Sequence, residues 1–200
     1  MTDLDPVEGE LDDVIAQYEQ TLADREQTLG DAHPDTRATR NYLATAYLVA
    51  GRLNEAIPIY ERNLADRERA LGDTDPSILT FRSSLARLYK KVGRLDEAIA
   101  LYERTLTDRE QVLGETHVNT MITRNNLATA YHAAGRLDVA IPVLERTLTD
   151  RERTLGDTHP HTVTTRNNLV NAYEEAGRRD EAQRLRDRAE AHRLPPTLGA

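Results

Sequence analysis

Apolar positions along this chain recur at helical spacing, in two alternating patterns. Leu43, Tyr47 and Ala50 lie four and three residues apart, which places them on one face of a helix. The same triplet returns as Leu85, Tyr89, Val92, then Leu127, Tyr131, Ala134, then Leu169, Tyr173, Ala176. Each is followed by a second stripe, Leu53, Ala56, Ile57, Tyr60 and Leu64, which recurs as Leu95, Ala98, Ile99, Tyr102 and Leu106. Small alanines beside large tyrosines permit two helices to approach closely. Nine glycines fall every 21 residues, from Gly9 to Gly177, and from Gly30 on their contexts alternate between L-G-[DE] and [AV]-G-R. Glycine in the left-handed conformation is a common helix stop. The pattern therefore predicts a series of helix pairs with a 42-residue period, and such periods mean a stacked array that works through a long surface. Pro34, Pro76 and Pro160 mark the first turns of first helices. Pro58 and Pro142 fall near the starts of second helices, where a slight bend is expected.

This timing divides the chain into a flexible lead-in (1–8), an array (9–193) and a disordered tail (194–200). Within the array lie a half repeat, 9–33, and repeats at 34–75, 76–117, 118–159 and 160–193. The half repeat is a second-type helix, with Leu11, Val14, Ile15, Tyr18 and Leu22, and no first helix before it. Part of its apolar face is expected to be covered by residues 1–8, by another domain or chain, or by a second copy in a homodimer. At the other end Arg179, Gln183 and Arg186 replace the usual Leu, Ile and Tyr, as in a polar cap on an array.

The repeated string L-A-x-x-Y-x-x-x-G-x-x-x-E-A-x-x-x-Y, seen at 43–60, resembles the tetratricopeptide repeat. The second helix continues through D-R-E-x-x-L-G before an H-P or D-P step, which resembles the longer kinesin light chain type found also in bacterial arrays. The second copy departs from the others at Phe81, Ser83, Ser84 and Arg87. The resemblance implies an all-α tetratricopeptide-repeat solenoid, a right-handed superhelix of antiparallel helix pairs whose first helices line a concave groove. It further implies a non-enzymatic protein- or peptide-binding scaffold. Two alternatives come with it: a regulatory portion associated with a nucleotide-hydrolysing signalling protein, and a module that dimerises through the uncovered N-terminal helix.

Composition narrows the chemistry. With no cysteine, neither disulfides nor a thiolate metal site can form. A net charge of −8 argues against nucleic acid as a partner, and Phe81 with eight tyrosines, most of them at core positions, leaves little for base stacking. No apolar run approaches the roughly 20 residues of a membrane span, and the acidic start MTDLDPVEGE is no signal peptide. The expectation is a cytoplasmic protein without cofactor or metal. No G-x-x-x-x-G-K-[ST], G-x-S-x-G or H-E-x-x-H is present. The serines Ser77, Ser83 and Ser84 have no fixed acid–base partner in the pattern. His33, His117 and His159 recur at one repeat position and read as helix N-caps. His159 and His161, two imidazoles around Pro160, make a weak metal site without a third ligand.

Binding residues are instead expected opposite the core stripe of each first helix. These second stripes run Ala38, Asn41, Thr45, Leu48; Thr80, Ser83, Arg87, Lys90; Ile122, Asn125, Thr129, His132; and Thr164, Asn167, Asn171, Glu174. The resemblance places this face in the groove. Asn41, Asn125 and Asn167 would form an amide ladder able to bond a peptide backbone; the competing reading leaves them solvated or bonded to neighbouring helices. Arg87, Lys90, Lys91 and His132 would form a basic centre attractive to an acidic segment, with an ordinary solvated cluster as the alternative. The arginine row Arg40, Arg82, Arg124, Arg166 and the four D-R-E triplets read as structural, forming inter-helix ion pairs that set the stacking register.

Overall fold

A computed structural model describes residues 6–191 of the 200-residue chain. Among these residues there are nine α-helices and no strand. They are α1 (Pro6–Leu29), α2 (Pro34–Val49), α3 (Leu53–Leu71), α4 (Pro76–Lys91), α5 (Leu95–Leu113), α6 (Val118–Ala133), α7 (Leu137–Leu155), α8 (Pro160–Glu175) and α9 (Arg179–Ala191). Of the expected lead-in, residues 1–5 lie outside the described residues, while 6–8 belong to α1. The expected tail, 194–200, also lies outside them.

The helix ends follow from local chemistry. After α2, Gly51 takes φ +69°, the Arg52 amide donates to the Tyr47 carbonyl at 2.8 Å, and the Gly51 amide to Leu48 at 3.2 Å. That double closure satisfies carbonyls the helix would otherwise leave open. The second glycine class is simpler: Gly72, at φ 83° and ψ 161°, donates only to Glu68. First helices begin on a side-chain cap. The Nδ1 atoms of His33, His117 and His159 accept from the amides of Asp35, Asn119 and His161 at 3.2, 3.2 and 3.1 Å, and Asp75 does the same for Ser77 at 2.8 Å. Pro58 and Pro142 sit inside α3 and α7, on exposed positions, without ending either helix.

The helices gather into two compact units, one through Val92 and one from Gly93. In the first, α1 packs on α2, α2 on α3 and α3 on α4. Its core joins Ile15, Leu43, Ala46, Tyr47 and Ala56. In the second, α5 to α9 pack in sequential order and α6 also touches α8. Ala128, Ile141, Leu144, Leu148, Leu169 and Tyr173 are among the residues of that core.

Three polar ladders tie successive helices. Arg40, 1 % exposed, reaches back to Glu26 on α1 at 3.4 Å and forward to Asp66 on α3 at 3.1 Å. Arg124 repeats this with Glu110 at 2.8 Å and Asp150 at 2.9 Å. Arg82 binds Glu68 at 2.6 Å, and Arg166 binds Glu152 at 3.1 Å. The D-R-E triplet is thus divided, its acids serving different arginines. Its own arginine goes elsewhere: Arg25, Arg109 and Arg151 donate to the carbonyls of Asp35, Asn119 and His161 at 3.0, 3.0 and 2.7 Å, and to Thr39, Thr123 and Thr165. Buried, and among the described residues without a carboxylate in contact, Arg109 and Arg151 are pushed below the ordinary arginine value by desolvation, Arg151 further by Arg124. Third, the core tyrosines Tyr47, Tyr89, Tyr131 and Tyr173 donate their hydroxyls to Glu19, Glu61, Glu103 and Glu145.

Candidate functional site

In the first unit the expected binding stripe begins on α2. Asn41 and Thr45 are exposed. The Thr45 hydroxyl donates to the Asn41 carbonyl at 2.9 Å, and the Asn41 side-chain oxygen accepts from Asn63 of α3 at 2.8 Å. One turn on, Val49 is 71 % exposed, and Tyr42 beside Asn41 is 59 % exposed. An apolar side chain that open contributes nothing to the core, so this end of α2 offers apolar contact area beside polar groups. On α4, Ser83 is half-buried and donates back to the Leu79 carbonyl at 3.0 Å, a bond internal to its helix. Arg87 and Lys91 are exposed, whereas Lys90 is half-buried, and desolvation holds its ammonium below the usual lysine value. Three of the four expected basic residues therefore share one helix.

A cavity of about 330 Å³ opens between α2 and α3. Its wall includes Arg37, Asn41, Asn63, Asp66 and Arg67. Of these only Asn41 belongs to the stripe expected from sequence. The available signal was Phe81, which breaks the threonine row at Thr39, Thr123 and Thr165 and stands beneath Arg67 with 4.9 Å between guanidinium carbon and ring centre.

The second unit treats equivalent residues differently. Asn125 is 7 % exposed, and its side-chain oxygen accepts from the Thr165 hydroxyl at 3.1 Å and the Asn168 amide at 3.3 Å. It bridges α6 to α8, so its acceptor is not presented as in the expected ladder. Asn167 and Asn171 of α8 are exposed. Thr129, half-buried, donates to the Asn126 carbonyl at 2.9 Å. His132 lies with Nε2 2.8 Å from the Glu175 carboxylate, a second α6–α8 link. Asn41, Asn125 and Asn167, which share one repeat position, thus give two open amides and one enclosed one.

Among the described residues no group of three or more His, Cys, Asp or Glu side chains could hold a metal ion. The His159 and His161 rings lie 5.3 Å apart, and His161 is held below the ordinary histidine value by burial, then by Arg151 and His159. Among the described residues no helix is long and apolar enough to cross a membrane.

Comparison with known proteins agrees with this architecture. Models of the tetratricopeptide repeat match residues 38–110, 77–152 and 125–193, and another matches 9–35. No curated protein matches the chain. Among solved structures, a putative kinesin light chain with nearly identical TPR-like repeats from Podosopora anserina is 29 % identical. That alignment covers 96 % of this chain and 90 % of the other, with a TM-score of 0.76. BtubC (BKLC) from P. vanneervenii is 26 % identical over 96 % of this chain and 80 % of its own, at 0.70. MamA, at 20 % identity and 0.59, shares the fold over 97 % of this chain and 90 % of its own.

Proposed function

The chain belongs to the tetratricopeptide repeat family, in its kinesin light chain-like form, and on that footing we propose that it is a non-enzymatic scaffold holding an extended segment of a partner protein against its first helices. Repeats of this family generally mediate protein–protein interaction. One observation carries the finer reading: the second stripe of α2 keeps Asn41 and Thr45 open beside Val49 at 71 % exposure. Such a surface offers amide and hydroxyl groups to a peptide backbone and apolar area to its side chains. On α8, Asn167 and Asn171 offer the same amide chemistry. On α4, Arg87, Lys90 and Lys91 favour an acidic segment electrostatically.

The test uses exposed positions, where folding is least disturbed. Thr45→Arg with Val49→Asp, and separately Asn167→Ala with Asn171→Ala, should weaken capture of the partner from a lysate of the native organism while leaving the melting temperature within about 2 °C, as surface changes do. Unchanged capture by both double variants would remove the first-helix faces as the binding surface.

A second reading, self-association through α1, is favoured by one feature. Val14 is 41 % exposed on α1, next to Tyr18 and Tyr42, whose rings stack with centroids 5.8 Å apart. Light scattering at high concentration distinguishes it: the expected dimer mass should revert to monomer with Val14→Asp, and a strictly monomeric parent chain would exclude it.

A further inference from the structure

One face of α1 stays open where the later repeats are closed. Val14, Tyr18, Thr21 and Arg25 form a stripe along that helix. In α7 the same repeat positions hold Ala140, Leu144, Thr147 and Arg151, all buried, and α6 packs on that helix. Arg151 there donates through Nη2 to the Met121 carbonyl of α6 at 3.1 Å. In α3 the position of Val14 is taken by Ala56, fully buried in the core with Leu43 and Tyr47 of α2. Among the described residues α1 packs on α2 alone, so Val14 is 41 % exposed and Tyr18, Thr21 and Arg25 are half-buried. Arg25 donates through Nη1 to the Asp35 carbonyl and to Thr39, and its Nη2 meets no acceptor among the described residues. A cavity of about 330 Å³ opens there between α1 and α2, with the stacked rings of Tyr18 and Tyr42 in its wall.

The repeat supplies the shape of what fits. A helix crossing α1 as α6 crosses α7 would cover the stripe and bring a main-chain carbonyl within reach of the unused arm of Arg25. Val14 is larger than the alanine of the closed repeats, so the incoming helix needs a small residue opposite it. Charge supplies the rest. Glu10 lies one turn before Val14, and Asp13 and Asp24 flank the adjoining stripe of Gln17 and Gln20. All three acids are exposed, and among the described residues none is paired with a cation. Arg25 is the one cation of α1. A second copy docking α1 on α1 would set these acids against each other, whereas a helix with basic flanks complements them.

We propose that the open face of α1 is a docking site for a basic amphipathic helix of a partner protein. Its apolar stripe lies against Val14 and the Tyr18–Tyr42 pair, and its lysines or arginines stand beside Glu10, Asp13 and Asp24. This surface is separate from the first-helix faces of the scaffold reading and does not depend on them.

The probes are two fluorescein-labelled, amidated helical peptides of 16 residues, the length of α6. Both carry leucine and alanine on one face; the flanks are lysine in one and glutamate in the other. Anisotropy with the full chain should show the lysine helix binding and the glutamate helix not. Val14→Ser with Tyr42→Ser, neutral changes at exposed positions, should weaken the lysine helix about tenfold or more, as loss of apolar burial does. Glu10→Gln with Asp13→Asn should weaken it about threefold and flatten its salt dependence. Asn167→Ala with Asn171→Ala should leave it unchanged. Absent binding of the lysine helix, equal binding of the two peptides, or unchanged affinity in either of the first two double variants overturns the site. Lost binding in Asn167→Ala with Asn171→Ala would put the peptide on the first-helix faces and overturn it too. A parent chain that is dimeric by light scattering and monomeric after Val14→Ser with Tyr42→Ser would give the face to a second copy, which equally overturns the proposal.

Discussion

Replacing Arg124 by methionine keeps most of the volume and removes the charge that joins α5, α6 and α7. The guanidinium is 2 % exposed and lies 2.8 Å from Glu110 and 2.9 Å from Asp150. With charge centres about 4 Å apart and an effective dielectric of about 20, each pair attracts by roughly 4 kcal/mol before desolvation. Burying the guanidinium offsets much of that sum, so the pairs add little net stability. The cost of breaking them is set by the acids left behind, about 3–5 kcal/mol for a buried pair losing one partner. Glu110 and Asp150 keep 31 % and 17 % side-chain exposure, and Asp150 retains Arg153 at 3.3 Å. The lower end, about 3 kcal/mol, is therefore expected. Hydrogen exchange read by mass spectrometry should show amides of α5–α7 exchanging about 100-fold faster, with α1–α3 unchanged, since an array couples mainly through nearest neighbours. Adding Asp150→Asn should restore part of the loss, because the stranded charge is removed with its partner. Arg124→Met within about 0.5 kcal/mol of the parent, the ordinary range for a surface change, would refute this reasoning.

Three further outcomes follow from single features. The hydroxyls of Tyr47, Tyr131 and Tyr173 are pushed up to about 12, first by burial and then by their bonds to Glu19, Glu103 and Glu145. Unfolded tyrosine titrates near 10, so the folded chain keeps protons that the unfolded chain releases. Their stabilisation is complete below pH 10 and lost as pH rises toward 12. The urea midpoint should fall across that window, and Tyr131→Phe should flatten the fall; an unchanged slope contradicts it. Gly114→Ala meets no atom within 4 Å of the added carbon, yet φ is +88°, so denaturation should show a loss of about 1–2 kcal/mol from backbone strain alone. His117→Ala should cost about 1 kcal/mol by removing an N-cap, and His117→Asp should restore it, as Asp75 caps α4.

What the sequence made legible was whatever one repeat decides for itself. The glycine stops, the Leu–Tyr–Ala stripe and the histidine caps depend on neighbours within a turn or two, and the helices begin and end where those residues stand, except at Gly9, which lies inside α1 and ends no helix. The pairing of the Arg40 row with acids of the D-R-E triplets was also legible, because both recur in phase. Contacts at long separation were not. The Tyr47–Glu19 bond spans 28 residues, and although Glu19, Glu61, Glu103 and Glu145 recur in phase with the tyrosines, the repeat alone does not say that hydroxyl and carboxylate meet. Asn125 and Asn41 occupy one repeat position, but Asn125 meets Thr165 and Asn168 from α8, while the residues at those places in α4 are Phe81 and Ser84. The same amide is enclosed in one repeat and open in the other because its environment comes from the next helix pair.

Photocrosslinking tests the scaffold claim most directly. A benzoylphenylalanine placed singly at Thr45, Arg87 or Asn171, on the second stripes of first helices, should form adducts with a partner in a native lysate. The same probe at the exposed second-helix positions Pro58 and Gln111 should form none. Adducts confined to the second-helix positions, or equal at both sets, would contradict the account.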